Sequence, residues 1–270
     1  IDRALSYMSD EEKCTMKPDI VITFGGALVS RLIKQYLRKY TNIEHWHIGV
    51  TDNTIDCFQS LSMRIDTHPR SFFQQVNSFS YKVNSSKISS YQQDWVEIAS
   101  KAEISHNKYI ANCNWSDLKA FSIILPNLSG DLHLSNGTPI RYQQLFNQNK
   151  NISQIHCNRG VSGIDGCTST AIGHAMISKR TTTLISGDLS AQYDLNALSI
   201  NAIPNNFKMI IMFNGGGGIF RFIKSTSELP EIDEYFAVNN NFPISEIALG
   251  YNIPLFIARN EDELKSALPS

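Results

Sequence analysis

Two short stretches place metal-binding residue types directly behind apolar runs. "TTTLISGDLS" (181–190) carries Asp188 after a strand-like segment, and "MIIMFNGGGGIFRF" (209–222) carries Asn214 ahead of four consecutive glycines. The separation, 214 − 188 = 26 residues, is enough for one helical crossover, so adjacent parallel strands would present both side chains at one sheet edge. A carboxylate, a carboxamide oxygen and a glycine carbonyl form the hard oxygen set that suits Mg²⁺, completed by water and a diphosphate. Glycines let the main chain approach phosphate with no Cβ in the way. Four in a row cost backbone entropy on ordering, so either the loop is mobile or a close approach requires them. Each half alone reads as an ordinary turn. The pair, at crossover spacing and each behind a strand, points to metal–diphosphate binding.

The elements that must position these residues follow from periodicity. In "KPDIVITFGGALVSRLIKQYLRKY" (17–40), Ile20 to Phe24 is a strand, Gly25-Gly26 a turn, and Leu28, Leu32, Ile33, Tyr36 and Leu37 recur at helical spacing. "HWHIGV" (45–50) is a second strand, and "CFQSLSMRIDTHP" (57–69) holds one or two more. Pro69 and "VNSSKISS" (83–90) close that unit. Residues 91–128 are mostly helical. A new cycle then runs through strands at 132–136, 152–158, 181–186, 207–214 and 253–258, separated by helices that include 168–178, 242–250 and 260–268. Strand–helix alternation predicts parallel sheets with helices on their faces. The expected fold is therefore α/β, with two doubly wound parallel-sheet domains divided at residues 1–90 and 91–270, and ligands at the carboxyl ends of the strands.

Composition limits what such a protein can do. The 270 residues are 42% hydrophobic and 18% charged with a net charge of −1, which builds in no general attraction to nucleic acid or membrane. Anion binding must come from local groups. Five scattered cysteines without a CxxC pair suit reduced thiols and a cytoplasmic location rather than a disulfide framework. No apolar stretch approaches the ~20 residues of a membrane-spanning helix. His45 and His47 in "EHWHIG" alternate on one face of a strand; without a third ligand nearby they read as polar residues of a half-buried strand.

The Gly-Asp and Asn-Gly pair at this spacing resembles the cofactor motif of thiamine-diphosphate enzymes. "NRGVSGIDGCTSTAIG" (158–173), "SNGTPIR" (135–141), "SGDLSAQYDLNAL" (186–198) and "NGGGGIF" (214–220) narrow the resemblance to the 2-succinyl-5-enolpyruvyl-6-hydroxy-3-cyclohexene-1-carboxylate synthases of menaquinone biosynthesis. "PDIVITFGGALVSRLIKQYLR" and "HWHIG" are more loosely similar to that family's central domain, which would make residues 1–90 a central Rossmann-like domain and 91–270 the diphosphate-binding domain. The resemblance implies a carboligation. 2-Oxoglutarate loses CO₂ on thiamine diphosphate, and the semialdehyde carbanion adds to isochorismate, with Mg²⁺ or Mn²⁺ as the metal.

On that resemblance Asp188, Asn214 and the Gly216 carbonyl hold the metal, and Ile164, Gly187, Leu189, Ser190, Gly217 and Ile219 complete the cofactor-binding set. Arg141 and Arg159, each just past a strand end, match arginines that grip substrate carboxylates, for which a guanidinium fork is suited. Arg31, on the first helix, falls where relatives carry a basic residue reaching the same site. Ile164 resembles the apolar prop beneath the bent cofactor, and Ile219 and Phe220 would also line the substrate side and shield reacting carbons from water. The chain departs from the family at Gly137, where serine is frequent, and at Gly218, where a polar residue is frequent.

In this family the glutamate that activates the cofactor belongs to an N-terminal pyrimidine-binding domain contributed across a homo-oligomeric interface. The chain opens at a segment similar to the entry of the central domain, so no catalytic residue is assigned within it. The expectation is half a cofactor site and little turnover by these residues alone. Two alternatives stand beside this one. Another thiamine-diphosphate enzyme of the acetolactate synthase or decarboxylase type would fit Asp188 and Asn214 equally, though two arginines suit dicarboxylates better than pyruvate. A non-catalytic nucleotide-binding module would use "FGGALVSR" (24–31) or the glycine run, but neither gives GxGxxG with an acidic residue about 20 positions on.

Overall fold

The structure, a computed structural model, describes residues 1–40, 42–50, 56–78, 90–200, 203–237 and 241–268. It is α/β and divides into two compact units, Ile1–Ala111 and Asn112–Ser270.

The first unit holds a parallel sheet of order β1-β2-β3, formed by β1 (Ile20–Phe24), β2 (Glu44–Ile48) and β3 (Leu61–Ile65). The helix after β1 begins at Arg31, three residues later than periodicity alone suggests, because Ser30 caps it. The Ser30 hydroxyl accepts from the Ile33 amide at 3.1 Å, satisfying one of the donors that every helix start leaves open. That helix turns Tyr36 and Leu37 into a core with Leu5, Met8, Met16, Ile43 and Phe58. Residues 57–69 contain one strand, Leu61–Ile65, and Pro69 does not end the unit: it begins the helix Pro69–Ser78, a position where its missing N–H costs nothing. Residues 79–89 lie outside the described residues, and with them most of the polar stretch expected to close the unit.

The helix Tyr91–Asn112, expected at the start of the second domain, is grouped almost entirely with the first unit. The reason is packing. Trp95 and Ile98 lie against the first core, and the Tyr91 hydroxyl donates to the Met16 carbonyl at 3.2 Å.

The second unit holds a parallel sheet of order β5-β4-β6-β7, from β4 (Gly130–Leu134), β5 (Ile152–Cys157), β6 (Thr182–Gly187) and β7 (Phe207–Met212). β4 and β6 are inner strands and are covered on both faces, so Leu132, Leu134, Leu184 and Ile185 are at most 1% exposed. This is why β6 reads as a nearly continuous apolar and β-branched run. β4 comes first in the chain, β5 is laid on one side of it, and β6 and β7 on the other. The strand order therefore reverses between β4 and β6, the kind of point where an open α/β sheet forms a crevice at its carboxyl edge. Residues 253–258, expected as a strand, have no ladder partner among the described residues; Leu255, Phe256 and Ile257 are exposed.

Candidate functional site

Each strand of the second sheet delivers a polar residue to the carboxyl edge. β5 ends at Cys157 and is followed by Asn158 and Arg159; β4 ends at Leu134 and leads through Ser135 and Asn136 into the helix Thr138–Gln143, which carries Arg141. β6 ends at Gly187, directly before Asp188, and pairs in register with β7 so that Gly187 faces Met212, two residues before Asn214. The sequence-derived pairing of Asp188 and Asn214 on neighbouring strands is thus what the register gives. The two loops are also tied together: the Gly215 amide donates to Asp188 Oδ2 at 3.0 Å.

Asp188 is 2% exposed and opens the helix Asp188–Tyr193. Its Oδ1 accepts from the Leu189 amide at 2.8 Å. Burial pushes its carboxyl above the usual range, opposed by the backbone N–H groups of Leu189, Gly215 and Gly216. It is in no ion pair among the described residues. A buried carboxylate compensated only by amides is electrostatically short of a cation. Asn214 is exposed at the edge, and its Nδ2 donates to Asp117 Oδ2 at 2.8 Å. That bond fixes the carboxamide with Nδ2 committed, leaving Oδ1 as the oxygen able to ligate.

The glycine run is a built turn. Gly215 and Gly216 have φ of 82° and 147°, the region that residues with a Cβ avoid. A Cβ on Gly217 would lie 2.5 Å from the Phe236 carbonyl oxygen, and the Gly217 amide donates to the Ala237 carbonyl at 2.7 Å. Gly218 begins the short 3₁₀ turn Gly218–Phe222, which holds Ile219 and Phe220 half-buried; the Phe220 ring packs edge-on to Phe236. Gly218 differs from Gly217, since a Cβ there meets only the Asn214 side chain, at 3.4 Å.

Ile164, half-buried, is held by its carbonyl, which accepts from the buried Ser190 hydroxyl at 2.5 Å. The two arginines are anchored differently. Arg159 Nη1 donates to Asn136 Oδ1 at 2.7 Å, while its Nε is buried without a partner. Arg141 Nη1 donates to the Gly137 carbonyl. Arg31 lies in the first unit, exposed at the first turn of its helix. His45 and His47 are explained by packing: both rings bond Thr23 Oγ1, at 2.8 and 3.0 Å, and His45 lies 3.6 Å from Asp56.

Three residues that sequence reasoning did not single out organise this edge. Buried Asn136 donates to the Asn158 and Gly163 carbonyls, both at 2.7 Å, while accepting from Arg159. Fully buried Ser135 accepts from the Gly187 amide at 3.2 Å. Asp117 comes from a helix 97 residues before Asn214. "SNG" behind a strand was a usable signal for the first two; nothing local marked Asp117. At Gly137 the φ of 102° disfavours a serine, so the departure at that position matches the backbone it sits in. The donor set fits a divalent cation with a diphosphate. One buried anionic oxygen, one amide oxygen and a glycine turn free of Cβ atoms meet there, and no lysine or arginine is paired with the carboxylate among the described residues.

Searching for known relatives, no protein-family model matches the chain. Curated proteins do. It is 42% identical over 270 residues to a 2-succinyl-5-enolpyruvyl-6-hydroxy-3-cyclohexene-1-carboxylate synthase of Flavobacterium psychrophilum, covering 99% of this chain and 48% of that protein. Over nearly its whole length the chain is similar to this synthase family. Like-named proteins of Porphyromonas gingivalis and Flavobacterium johnsoniae are 38% and 37% identical, covering 100% and 98% of this chain but 47% of each relative. The chain thus spans about half the length of the synthases it matches. Among its described residues, no helix is long and apolar enough to cross a membrane.

Proposed function

We propose that these residues supply the diphosphate- and metal-holding half of the active site of a thiamine-diphosphate-dependent synthase. Its substrates would be 2-oxoglutarate and isochorismate, and its product 2-succinyl-5-enolpyruvyl-6-hydroxy-3-cyclohexene-1-carboxylate. The observation that carries the reading is the carboxyl edge of the second sheet. An arginine whose Nε is buried without a partner, a buried carboxylate with no ion pair among the described residues and a glycine turn with positive φ values follow β5, β6 and β7 at that edge.

Thiamine diphosphate, when bound, supplies the electron sink that lets a 2-oxo acid lose CO₂ and form a new carbon–carbon bond. The chain's own residues do the positioning. Asp188, Asn214 Oδ1 and the Gly216 carbonyl would hold Mg²⁺ or Mn²⁺, and the Gly215–Gly217 backbone and the amides at the start of the helix Asp188–Tyr193 would approach the diphosphate. Ile164, braced through Ser190, would fix the cofactor's attitude. Ile219 and Phe220 would keep water from the reacting carbons. Arg159 Nε has a hydrogen-bond capacity that a substrate carboxylate would fill, with Arg141 as a further cationic partner. In this reading the cofactor-activating group comes from outside these residues, through a homo-oligomer, and the 270 residues alone turn over little. The reaction would take place in the cytoplasm.

Calorimetric titration with thiamine diphosphate tests the proposal. Binding that requires Mg²⁺, is abolished by chelation and is not reproduced by NAD supports it; metal-independent binding, or preference for NAD, overturns it. Saturation by 2-oxoglutarate rather than pyruvate in the active assembly would separate this synthase from an acetolactate synthase relative.

A further inference from the structure

Away from the carboxyl edge, one face of the same sheet carries three histidines that the reaction does not use. His133 on β4 and His156 on β5 are register partners. His174, in the last turn of the helix Cys167–Ile177, packs onto them from above the sheet. Ring centroids are 4.7, 4.8 and 5.0 Å apart, and one nitrogen from each ring lies within 4.8 Å of the other two. We propose that His133, His156 and His174 form a three-imidazole site for a divalent transition-metal ion of the zinc class, separate from the diphosphate-linked metal.

Three features distinguish this cluster from ordinary ring stacking. First, His133 is only 5% exposed and its Nε2 has no hydrogen-bond partner, a cost that stacking leaves uncompensated and a metal bond would remove. Second, the other two rings are oriented by partners that donate nothing to a metal. His174 Nε2 lies 2.9 Å from Asp131 Oδ2, and His156 Nε2 lies 3.1 Å from Gln154 Oε1. An oxygen acceptor at Nε2 places the proton there and leaves the Nδ1 lone pair for a ligand, the carboxylate–histidine–metal pattern. Third, Asp131 is itself locked. It is buried, and besides His174 it accepts from Arg180 Nε and from the Ser178 hydroxyl, both at 2.9 Å.

Ligand type fits the same class. Imidazole suits zinc, copper, nickel and iron rather than Mg²⁺ or Ca²⁺, and three histidines with a fourth water position is an established zinc geometry. Zinc–nitrogen bonds of about 2.0–2.1 Å require the rings to close inward. His156 and His174 are half-buried and can turn to do so around the fixed His133. β5 is an edge strand of the four, which gives an ion a route in.

Co²⁺ is the probe, because four-coordinate nitrogen-ligated Co²⁺ absorbs strongly in the visible and six-coordinate Co²⁺ does not. Tag-free protein stripped with chelator should take up one Co²⁺ per chain with intense visible bands, without thiamine diphosphate, and lose them to one equivalent of Zn²⁺. Asp188→Ala should leave those bands intact. His156→Gln and His174→Gln, each checked for a parent-like circular dichroism spectrum, should weaken Co²⁺ binding by at least ~100-fold. Bands that are absent, or that persist in both histidine variants, would overturn the assignment. X-ray absorption of the Zn²⁺-loaded parent needs no variant: three imidazole ligands support the site, and two or fewer contradict it.

Discussion

The two parallel sheets are built from similar sequence material and end in different chemistry. Both begin with a strand, a glycine-containing turn and a helix. The first runs in chain order, β1-β2-β3, and β1 leaves Ile20, Ile22 and Phe24 38–53% exposed. The second reverses its order at β4, buries β4 and β6 on both faces, and collects Asn136, Arg159, Asp188 and Asn214 at one edge. The glycines differ in the same way. Gly26 has open space where a Cβ would go, while Gly217 has a backbone oxygen at 2.5 Å. A strand–turn motif therefore gathers polar groups at one edge only where topology opens a crevice and neighbouring strands supply the other donors.

The largest expected effect concerns the cores. Leu184→Ala in β6 removes a side chain with no exposure and should destabilise by about 2–5 kcal/mol, read by denaturant melts. Ile22→Ala in β1, where the side chain is already 38% exposed, should cost less, about 1–2 kcal/mol. Equal losses would erase the distinction between the sheets. Next comes the metal: Asp188→Ala should weaken Mg²⁺-dependent thiamine diphosphate binding by at least ~100-fold and abolish the stabilisation that ligand gives in a thermal shift. No comparable residue is expected in the first sheet.

Glycine substitutions sharpen the contrast further. Gly217→Ala should destabilise by about 1–3 kcal/mol, because the obstructing atom is backbone and cannot rotate away, and should impair cofactor binding as well. Gly26→Ala should stay within about 0.5 kcal/mol of the parent. The smallest effect lies in the first sheet and depends on pH. Burial lowers the pKa of His45 below its ordinary 6.5, despite Asp56 nearby, so the unfolded chain takes up the proton first. Its contribution is complete above pH ~6.5 and is lost as pH falls through the folded value. The protection factors of the β2 amides against hydrogen exchange, corrected for the intrinsic pH dependence of exchange, should fall on acidification over that range, and His45→Gln should flatten the dependence even though it lowers overall protection.

Much of this was legible in the sequence because it is local or follows from spacing. Asp188 and Asn214 sit one crossover apart, and their strands pair as that spacing requires. What was not legible depends on tertiary placement. His133, His156 and His174 belong to three elements with unrelated local patterns, and only the β4–β5 register and one helix position join them. Asp117 reaches Asn214 across 97 residues. Residues 253–258 have strand composition, but a strand needs a neighbour, and β7 has none there among the described residues. Proline ends most patterns, yet at a helix's first residue, as at Pro69, it is a start.

The central claim is that β6 and β7 together clasp a divalent cation. A crystal structure of the protein with thiamine diphosphate and Mn²⁺, read by anomalous scattering, tests it most directly. The account predicts a peak coordinated by Asp188, Asn214 Oδ1 and the Gly216 carbonyl, in contact with diphosphate oxygens. Cofactor bound with its metal elsewhere, or with Asp188 and Asn214 turned away from it, would contradict the account.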